Sequence, residues 1–537
     1  MKRPKPLILL IIDGFGVSLE EQANPVALAK KPALDELDHF FPFTVLQASG
    51  AAVGLPWGKA GNSEVGHLTM GAGKMIHHHL PRIIYSIFDG SFFKNPALLK
   101  AAEHVKKNNS RLHIAGLVSS GSVHSYLDHL YALFDFTQRE GVHEVFLHIF
   151  SDGKDAPPEE GSGFLRTLEE RIAKEWPHVK MASVVGRFYA LDRGEQWDRT
   201  RAAYELLTMG MGTPIASIPD YIAASYADGV TDEFIKPAFL AENGVKPIGL
   251  VMPHDALLFS DFREDSMRQI ARAFTEHDFP FFPRERVDDL LIVTLIEYAK
   301  GLPALAAFPQ LHVADPLAHV LGAAGLRHLH IAETQKYAHV TYFFNGGSEE
   351  PFAGEERILI PSLNVAHFDA APEMRTREVA AKILGVFGDF DVIIANFASA
   401  DMVGHSGNFA AGIHAVEVID EAVGALAGAI FERGGVMLVT ADHGNIELKR
   451  NVLSGEALTE HSINPVPFYL VGRDYQLPVA RSSEAIIKQK NEVGGILTDV
   501  APTILELLGI PKPDEMTGAS LLSLLMRQRE EGTGRGK

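Results

Sequence analysis

Three short apolar runs of the sequence each end in side chains that bind metal ions. They are residues 7–12 followed by Asp13, residues 392–397 followed by Asp401 and His405, and residues 436–440 followed by Asp442 and His443. Carboxylate oxygen and imidazole nitrogen bind divalent cations such as Mn²⁺ and Zn²⁺ without any thiolate. One aspartate after a strand is usually a helix cap, but three of them, two with a histidine, indicate a metal site.

The spacing of these residues suggests how they divide between ions. Asp401 and His405 are four residues apart and share one face if they lie on a helix. Asp442 and His443 are adjacent and point in different directions, so they serve either two metals or one metal and its surroundings. His461, in a loop with two prolines (HSINPVP), is a further candidate ligand or a surface histidine.

Ser63 is the candidate nucleophile. It lies in the segment GNSEVGH, where glycines let the backbone approach a phosphate and a helix can begin. A metal ion can lower the pKa of a serine hydroxyl enough to generate an alkoxide. The alternative for this segment alone is a helix-capping serine in a glycine-rich turn.

The elements that must position these residues alternate between apolar strands and helices, which predicts α/β architecture with largely parallel sheets. The predicted strands are 7–12, 112–118, 145–150, 256–259, 290–295, 392–397 and 436–440, and two predicted helices are 159–175 and 412–429. Ligands collect beyond the carboxyl ends of parallel strands, so the three strand ends with metal-binding side chains are expected to converge.

The composition is that of a soluble globular protein of two to four domains, with 537 residues and 46% hydrophobic content. A net charge of −19 argues against nucleic acid or anionic membrane as a partner. The absence of cysteine excludes disulfides and thiolate sites. No apolar segment reaches the length of a membrane span, and the start lacks the features of a signal peptide, so the expected location is the cytoplasm.

With these residues assembled, the chain resembles the cofactor-independent phosphoglycerate mutases of the alkaline phosphatase superfamily, over nearly its whole length. The segments that carry the resemblance are GNSEVGH at 61–67, AETQKYAHVTYFFNGG at 332–347, DMVGH at 401–405, TADHGN at 440–445 and HSINPVP at 461–467. DMVGH and ADHGN types recur across metal-dependent phosphatases and sulfatases, whereas the long segment at 332–347 is particular to these mutases.

The resemblance implies an alkaline-phosphatase-like three-layer domain, residues 1–77 and 311–537, with an inserted α/β transferase domain, residues 78–310. It also implies two divalent metal ions, Mn²⁺ before Mg²⁺ or Co²⁺, and no requirement for bisphosphoglycerate. One ion would be bound by Asp401, His405 and His461. The ligands implied for the other are Asp13, Ser63, Asp442 and His443.

Substrate residues carry over position by position. His124 matches the substrate histidine, Asp155 the base for the glycerate hydroxyl, and Lys336 the catalytic lysine beside the nucleophile. Arginines that hold carboxylate or phosphate are matched by Arg187, Arg193 and Arg263. Guanidinium groups bind such anions with two parallel hydrogen bonds, whereas a lysine supplies one point charge.

The chain departs from the family pattern at the substrate positions. Asp-Gly-Arg-Asp is replaced by Asp-Gly-Lys-Asp, which puts Lys154 where the family has arginine. Arg-x-Asp-Arg ends in Ser266, and Arg268, two residues further on, is the candidate to contact the same anion. The implied activity is interconversion of 3-phosphoglycerate and 2-phosphoglycerate through a phosphoserine, by a monomer acting in glycolysis and gluconeogenesis. A phosphatase or mutase for another phosphorylated acid, or an inactive binding protein on the same fold, are the alternatives.

Overall fold

The computed structural model describes residues 3–77, 79–309, 313–451 and 453–532, and the chain divides into two compact units. The first unit comprises Met1–His78 and Leu311–Lys537, and the second comprises His79–Gln310. The domain boundaries predicted from the sequence are 77/78 and 310/311. Residues 78 and 310–312, at these boundaries, lie outside the described ranges.

The strands, in chain order, are β1 (Leu7–Ile12), β2 (Phe43–Gln47), β3 (Leu112–Leu117), β4 (Val145–Ser151), β5 (Val179–Gly186), β6 (Thr213–Ile215), β7 (Ala238–Glu242), β8 (Lys246–Pro247), β9 (Ala256–Phe259), β10 (Leu291–Ile296), β11 (Leu305–Phe308), β12 (His328–Glu333), β13 (Glu355–Ile360), β14 (Val392–Phe397), β15 (Val436–Thr440), β16 (Val466–Val471) and β17 (Val493–Ile496).

The helices are α1 (Pro25–Leu28), α2 (Pro32–Phe40), α3 (Ser63–Ala72), α4 (His79–Asp89), α5 (Pro96–Asn108), α6 (Leu127–Arg139), α7 (Gly161–Glu175), α8 (Arg187–Ala190), α9 (Trp197–Met209), α10 (Ile218–Ala227), α11 (Glu264–Thr275), α12 (Leu317–Ala323), α13 (Thr376–Gly385), α14 (Ser399–Gly404), α15 (Phe409–Arg433), α16 (Ser483–Asn491), α17 (Val500–Leu508) and α18 (Leu522–Gly532).

The first unit is built on an eight-stranded sheet of order β13-β12-β14-β1-β15-β16-β2-β17. β1 lies at its centre, parallel to both β14 and β15. All six side chains of β1 are fully buried, as expected for a parallel strand covered on both faces by helices. β16 is antiparallel to both of its neighbours, β15 and β2.

The helices of the first unit pack in two groups, which gives the three-layer arrangement that the family resemblance implied. α15 contacts α1, α2, α13 and α14, whereas α3 contacts α12 and α17. An apolar core joins the sheet to these helices.

The second unit has its own core and its own sheet, of order β11-β10-β9-β3-β4-β5-β7-β6, with β8 paired to β7. β11 to β5 are parallel along this order, and β7 is antiparallel to β5. The predicted α/β class is therefore confirmed for both units.

The seven predicted strands are present, and four of them, β1, β9, β14 and β15, have the predicted bounds. The sequence analysis missed β12, because its run HLHIAE carries two histidines and reads as polar. Both histidines are buried on one face, His328 beside His330, with their rings 3.1 Å apart between nitrogens.

Candidate metal centre, nucleophile and substrate cavity

The three strand ends singled out in the sequence meet at the centre of the first sheet. β14, β1 and β15 are neighbours in register, with Ile12 opposite Phe397 and Ile11 opposite Thr440. Asp13 therefore follows the central strand, between the segments that carry Asp401 and Asp442. Parallel strands ending together explain why residues hundreds of positions apart come together here.

Asp401, His405 and His461 form one cluster of possible ligands. Asp401 Oδ1 lies 3.4 Å from His405 Nε2 and 3.2 Å from His461 Nε2, and these two imidazole nitrogens are 3.1 Å apart. Asp401 lies in the short helix α14 and His405 caps it, so the four-residue spacing places both on one side.

Asp13, Ser63, Asp442 and His443 form a second cluster next to the first. Ser63 Oγ donates to Asp13 Oδ1 at 3.0 Å and lies 3.0 Å from His443 Nε2. His443 Nε2 is 3.5 Å from Asp13 Oδ1 and 3.6 Å from Asp442 Oδ2. The adjacent pair Asp442 and His443 also reaches the first cluster, since His443 Nε2 is 3.9 Å from Asp401 Oδ1.

The donor atoms of both clusters fit bound cations. His405 Nδ1 donates to the Thr459 carbonyl and His461 Nδ1 to the Gly61 carbonyl, so two neutral rings would direct their Nε2 lone pairs at each other. A shared proton or a metal ion relieves that repulsion. Asp442 Oδ2 is buried and accepts no hydrogen bond among the described residues, which leaves a carboxylate oxygen free for a cation.

Ser63 is held at the first position of helix α3. The side chain of Asn62 caps this helix by accepting from Val65 N–H, so the serine hydroxyl is not used for capping and remains free for chemistry. Gly61 brings the segment close to its neighbours, because a Cβ there would lie 2.1 Å from the Ala48 carbonyl oxygen. The alternative of a capping serine is therefore wrong for Ser63.

Lys336 lies inside the same cluster, on the short turn Thr334–Lys336 after β12. Its Nζ is 2.7 Å from Ser63 Oγ, 2.7 Å from Asp13 Oδ1 and 2.6 Å from Asp401 Oδ2. Burial lowers the pKa of Lys336, but the three aspartates of the site outweigh it and hold the pKa above its usual value.

The aspartates and histidines of the site influence one another's ionisation. Burial opposes the charge on Asp13 and Asp401, yet Lys336 and the histidines hold the pKa of both well below the usual range. Burial lowers the pKa of His443, but Asp442, Asp13 and Asp401 outweigh it and raise that pKa to about 9. Metal ions therefore compete with protons for these positions.

Two buried residues that the sequence analysis missed hold the ligands in place. His67 Nδ1 donates to the Ser63 carbonyl and lies 3.2 Å from Asp442 Oδ2. Asn396 donates to Asp13 Oδ2 at 2.7 Å and to His67 Nε2. His67 is the last residue of the GNSEVGH segment, and its place in that motif could have identified it as a site residue.

The second unit brings His124, Asp155 and Arg187 together at one end of its sheet. His124 Nδ1 is 2.6 Å from Asp155 Oδ2, and Arg187 Nη1 donates to Asp155 Oδ1 at 2.9 Å. Burial acts to raise the pKa of Asp155, but His124 and Arg187 lower it to about 2. Asp152, which the sequence analysis did not assign, accepts from Arg187 at 2.6 Å and so orients it.

The comparisons with known proteins agree on one family. A family model described as "Metalloenzyme superfamily" matches residues 5–512 of the chain. The 2,3-bisphosphoglycerate-independent phosphoglycerate mutase of Moorella thermoacetica is 45% identical over 96% of this chain and 98% of its own length. That of Chloroflexus aggregans is 44% identical over 97% of this chain and 99% of its own. The chain belongs to the 2,3-bisphosphoglycerate-independent phosphoglycerate mutases.

A solved structure of a phosphoglycerate mutase supports the fold. The phosphoglycerate mutase of Leishmania mexicana, crystallised at low cobalt concentration, matches with a TM-score of 0.62 and 27% identity, over 96% of this chain and 97% of that one. The family inferred from the motifs is thus confirmed, and with it an isomerase that depends on divalent metal. No helix among the described residues is long and apolar enough to cross a membrane.

In the second unit, basic side chains, among them most of the predicted substrate residues, line a cavity of 340 Å³. They are His124, Lys154, Arg187, Arg193, Arg199 and Arg263. Asp265 joins two of the predicted arginines, since it accepts from Arg193 Nη1 at 2.6 Å and from Arg263 Nε at 2.9 Å. Arg193 is more than half exposed, so an incoming anion can replace Asp265 as its partner.

The two residues that depart from the mutase pattern, Lys154 and Ser266, lie at the cavity, whereas Arg268, the predicted substitute for the missing arginine, does not. Lys154 and Ser266 both line the cavity, and Lys154 Nζ lies 2.6 Å from Glu233 Oε1. Arg268 is not among the described residues that line it, because its Nε donates to the Tyr298 carbonyl at 3.2 Å. Arg199 lies there instead, stacked on Phe188 and paired with Asp192 at 3.0 Å. The sequence analysis did not predict Arg199, because it lies in helix α9, six residues beyond Arg193 and outside the motif that was compared.

Proposed function

We propose that this chain interconverts 3-phosphoglycerate and 2-phosphoglycerate, with Ser63 carrying the phosphoryl group between the two halves of the reaction. The observation that carries the proposal is the position of the Ser63 hydroxyl. It lies within 3.0 Å of Asp13 Oδ1 and of His443 Nε2, and 2.7 Å from the Lys336 ammonium. Relatives of nearly equal length named as mutases support the substrate.

In the first half-reaction the Ser63 hydroxyl would give its proton to solvent when the ions bind, and Ser63 Oγ then forms a bond to phosphorus while the bond from phosphorus to the glycerate oxygen breaks. Asp401, His405 and His461 would hold one metal ion, and Asp13, Ser63, Asp442 and His443 the other. Bound divalent metal lowers the pKa of the serine hydroxyl and offsets charge on the transferring group. Lys336 supplies a fixed positive charge beside the same oxygen.

In the second half-reaction the other glycerate hydroxyl attacks the phosphoserine, and Ser63 is regenerated. The pair of Asp155 and His124 would enter the cycle carrying one proton and give it to the leaving oxygen in the first half; Asp155 accepts the proton of the attacking hydroxyl in the second half, which restores the pair. His124 shares that proton through the 2.6 Å contact with Asp155. Arg187, Arg193 and Arg263 hold the carboxylate and phosphate of the substrate, a role that suits their forked donors.

The same proposal includes four further properties. They are Mn²⁺ as the preferred ion, independence of bisphosphoglycerate, a monomeric state, and a cytoplasmic location with a role in glycolysis and gluconeogenesis. They rest on the oxygen and nitrogen ligand set and on the family. The second candidate is a phosphatase or a mutase for another phosphorylated acid. It is favoured by Lys154, whose charge is already paired with Glu233 and which cannot form a forked contact.

An enolase-coupled assay from 3-phosphoglycerate tests the proposal. The metal-free protein receives Mn²⁺, Mg²⁺ or Co²⁺ singly, with and without bisphosphoglycerate, and free phosphate is measured in parallel. We expect metal-dependent formation of 2-phosphoglycerate that bisphosphoglycerate does not increase. Release of phosphate faster than mutase product favours the second candidate, and activity that chelators leave unchanged contradicts both.

A further inference from the structure

Lys449 is a buried cation that the proposed reaction does not use. The residue is 1% exposed, and three oxygens are the hydrogen-bond acceptors of its Nζ among the described residues. They are the Gly404 carbonyl at 3.1 Å, the Glu460 carbonyl at 3.4 Å and Asn445 Oδ1. Burial lowers the pKa of Lys449 to about 8, so the ammonium is still the main form at neutral pH.

Each of the three acceptors lies next to a proposed metal ligand in the chain. Gly404 directly precedes His405, Glu460 directly precedes His461, and Asn445 is two residues beyond His443. The ammonium therefore joins the three separate segments that deliver these histidines. A charged donor in a dry interior makes stronger hydrogen bonds than a neutral one, so the link is effective.

Asn445 extends this link to the carboxylate of the cluster. While its Oδ1 accepts from Lys449, its Nδ2 donates to Asp401 Oδ1 at 2.7 Å and to the Asp401 carbonyl at 3.2 Å. The approach depends on Gly404, because a Cβ there would lie 2.7 Å from Asn445 Oδ1. Lys449 thus contacts the surroundings of Asp401, His405 and His461 without contacting a ligand atom.

We infer that Lys449 is a positioning residue for the metal ion that Asp401, His405 and His461 hold, and that it fixes the relative placement of these three ligands before the ion binds. The inference rests on the ligand sets given in the proposed function. Groups that orient metal ligands typically contribute 10- to 100-fold to metal affinity. Loss of the ammonium should therefore weaken the metal site of Asp401, His405 and His461 more than the other.

The test uses the full chain with Lys449→Met, which keeps the length of the side chain and removes its charge. Lys512→Met is the matched control, because Lys512 Nζ also donates to backbone carbonyls, those of Met516 and Gly518, in a segment without ligands. Metal-free proteins are titrated with Co²⁺ and followed by visible absorption, and with Mn²⁺ followed by calorimetry. Thermal unfolding of the metal-free proteins is measured alongside.

We expect wild type and Lys512→Met to bind two ions, and Lys449→Met to bind one of them about 10- to 100-fold more weakly. Excess Mn²⁺ should restore the kcat of Lys449→Met. Unchanged affinity for both ions overturns the inference, even if Lys449→Met unfolds at a lower temperature. If Lys449→Met does not fold, Asn445→Leu breaks the link to Asp401 and must weaken the same ion, or the inference fails.

The outcome for the wild type separates this inference from the function on which it rests. A wild-type protein that binds no divalent metal contradicts the proposed ligand sets. A wild-type protein that binds two ions, with Lys449→Met binding them equally well, contradicts only the role of Lys449.

Discussion

The ammonium nitrogen of Lys336 lies 2.7 Å from the hydroxyl oxygen of Ser63, and both side chains are buried. The same ammonium contacts one carboxylate from each ligand cluster, Asp13 and Asp401. A fixed positive charge at this distance stabilises negative charge as it develops on the serine oxygen. Lys336 is therefore expected to act on the transition state more than on substrate binding.

Replacing Lys336 by Met tests that role. We expect kcat to fall by about 10²- to 10³-fold, as when one preorganised donor to a developing charge is removed, while KM changes little. Steady-state kinetics at saturating Mn²⁺ measure both parameters. A large rise in KM with kcat unchanged would show that Lys336 binds substrate instead.

Metal binding to the two ligand clusters should also increase the free energy of unfolding. Asp13, Asp401 and Asp442 are buried close together, and bound cations offset their mutual repulsion. At about 100 times its Kd, one bound ion adds about 2.7 kcal/mol to the free energy of unfolding. Calorimetry should show an unfolding temperature that rises with Mn²⁺ concentration. The Asp442→Asn protein should show a smaller rise, and an equal rise would argue against Asp442 as a ligand.

Arg263 and Arg268 make opposite predictions. Arg263 lines the cavity, so Arg263→Ala should raise KM for 3-phosphoglycerate by about 10- to 100-fold, the range for one charged hydrogen bond. Arg268 is bound to the Tyr298 carbonyl, so Arg268→Ala should leave KM unchanged. A rise in KM for Arg268→Ala would restore the role that the sequence analysis gave it.

Asp261 predicts a pH dependence of stability in the second unit. It is fully buried, Oδ1 accepts from Leu117 N–H, and burial raises its pKa to about 7. The folded chain holds this proton where the unfolded chain releases it, so the stability it contributes is complete below about pH 4 and is lost as pH rises through 7.

Asp261→Asn keeps the acceptor and cannot ionise. Relative to wild type, its free energy of unfolding should increase by an amount on the order of 3 kcal/mol as pH rises from 5 to 8. Urea unfolding at fixed salt measures the difference, with Asp278→Asn as the exposed control. Parallel pH curves for wild type and Asp261→Asn would contradict the prediction.

The sequence predicted the centre of the first sheet because its strands are uniform apolar runs, each ending in a polar cluster. The predicted ligands converge for the same reason, since neighbouring parallel strands end at one edge. His67 and Asn396 were not predicted, because their roles come from contacts between segments hundreds of positions apart. Lys449 was not predicted because its role comes from backbone and side-chain acceptors in three separate loop segments, which no motif marks. Arg268 was assigned from spacing alone, but it lies within helix α11, where its Nε donates to the Tyr298 carbonyl.

The most direct test of the account is the identity of the phosphorylated residue during turnover. Protein loaded with Mn²⁺ is mixed with 3-phosphoglycerate, quenched in acid within one turnover and digested for peptide mass spectrometry, with Ser63→Ala treated in parallel. The account predicts one added phosphoryl group on the peptide that contains Ser63, and none in the Ser63→Ala protein. A phosphoryl group on another residue, or mutase activity retained by Ser63→Ala, would contradict it.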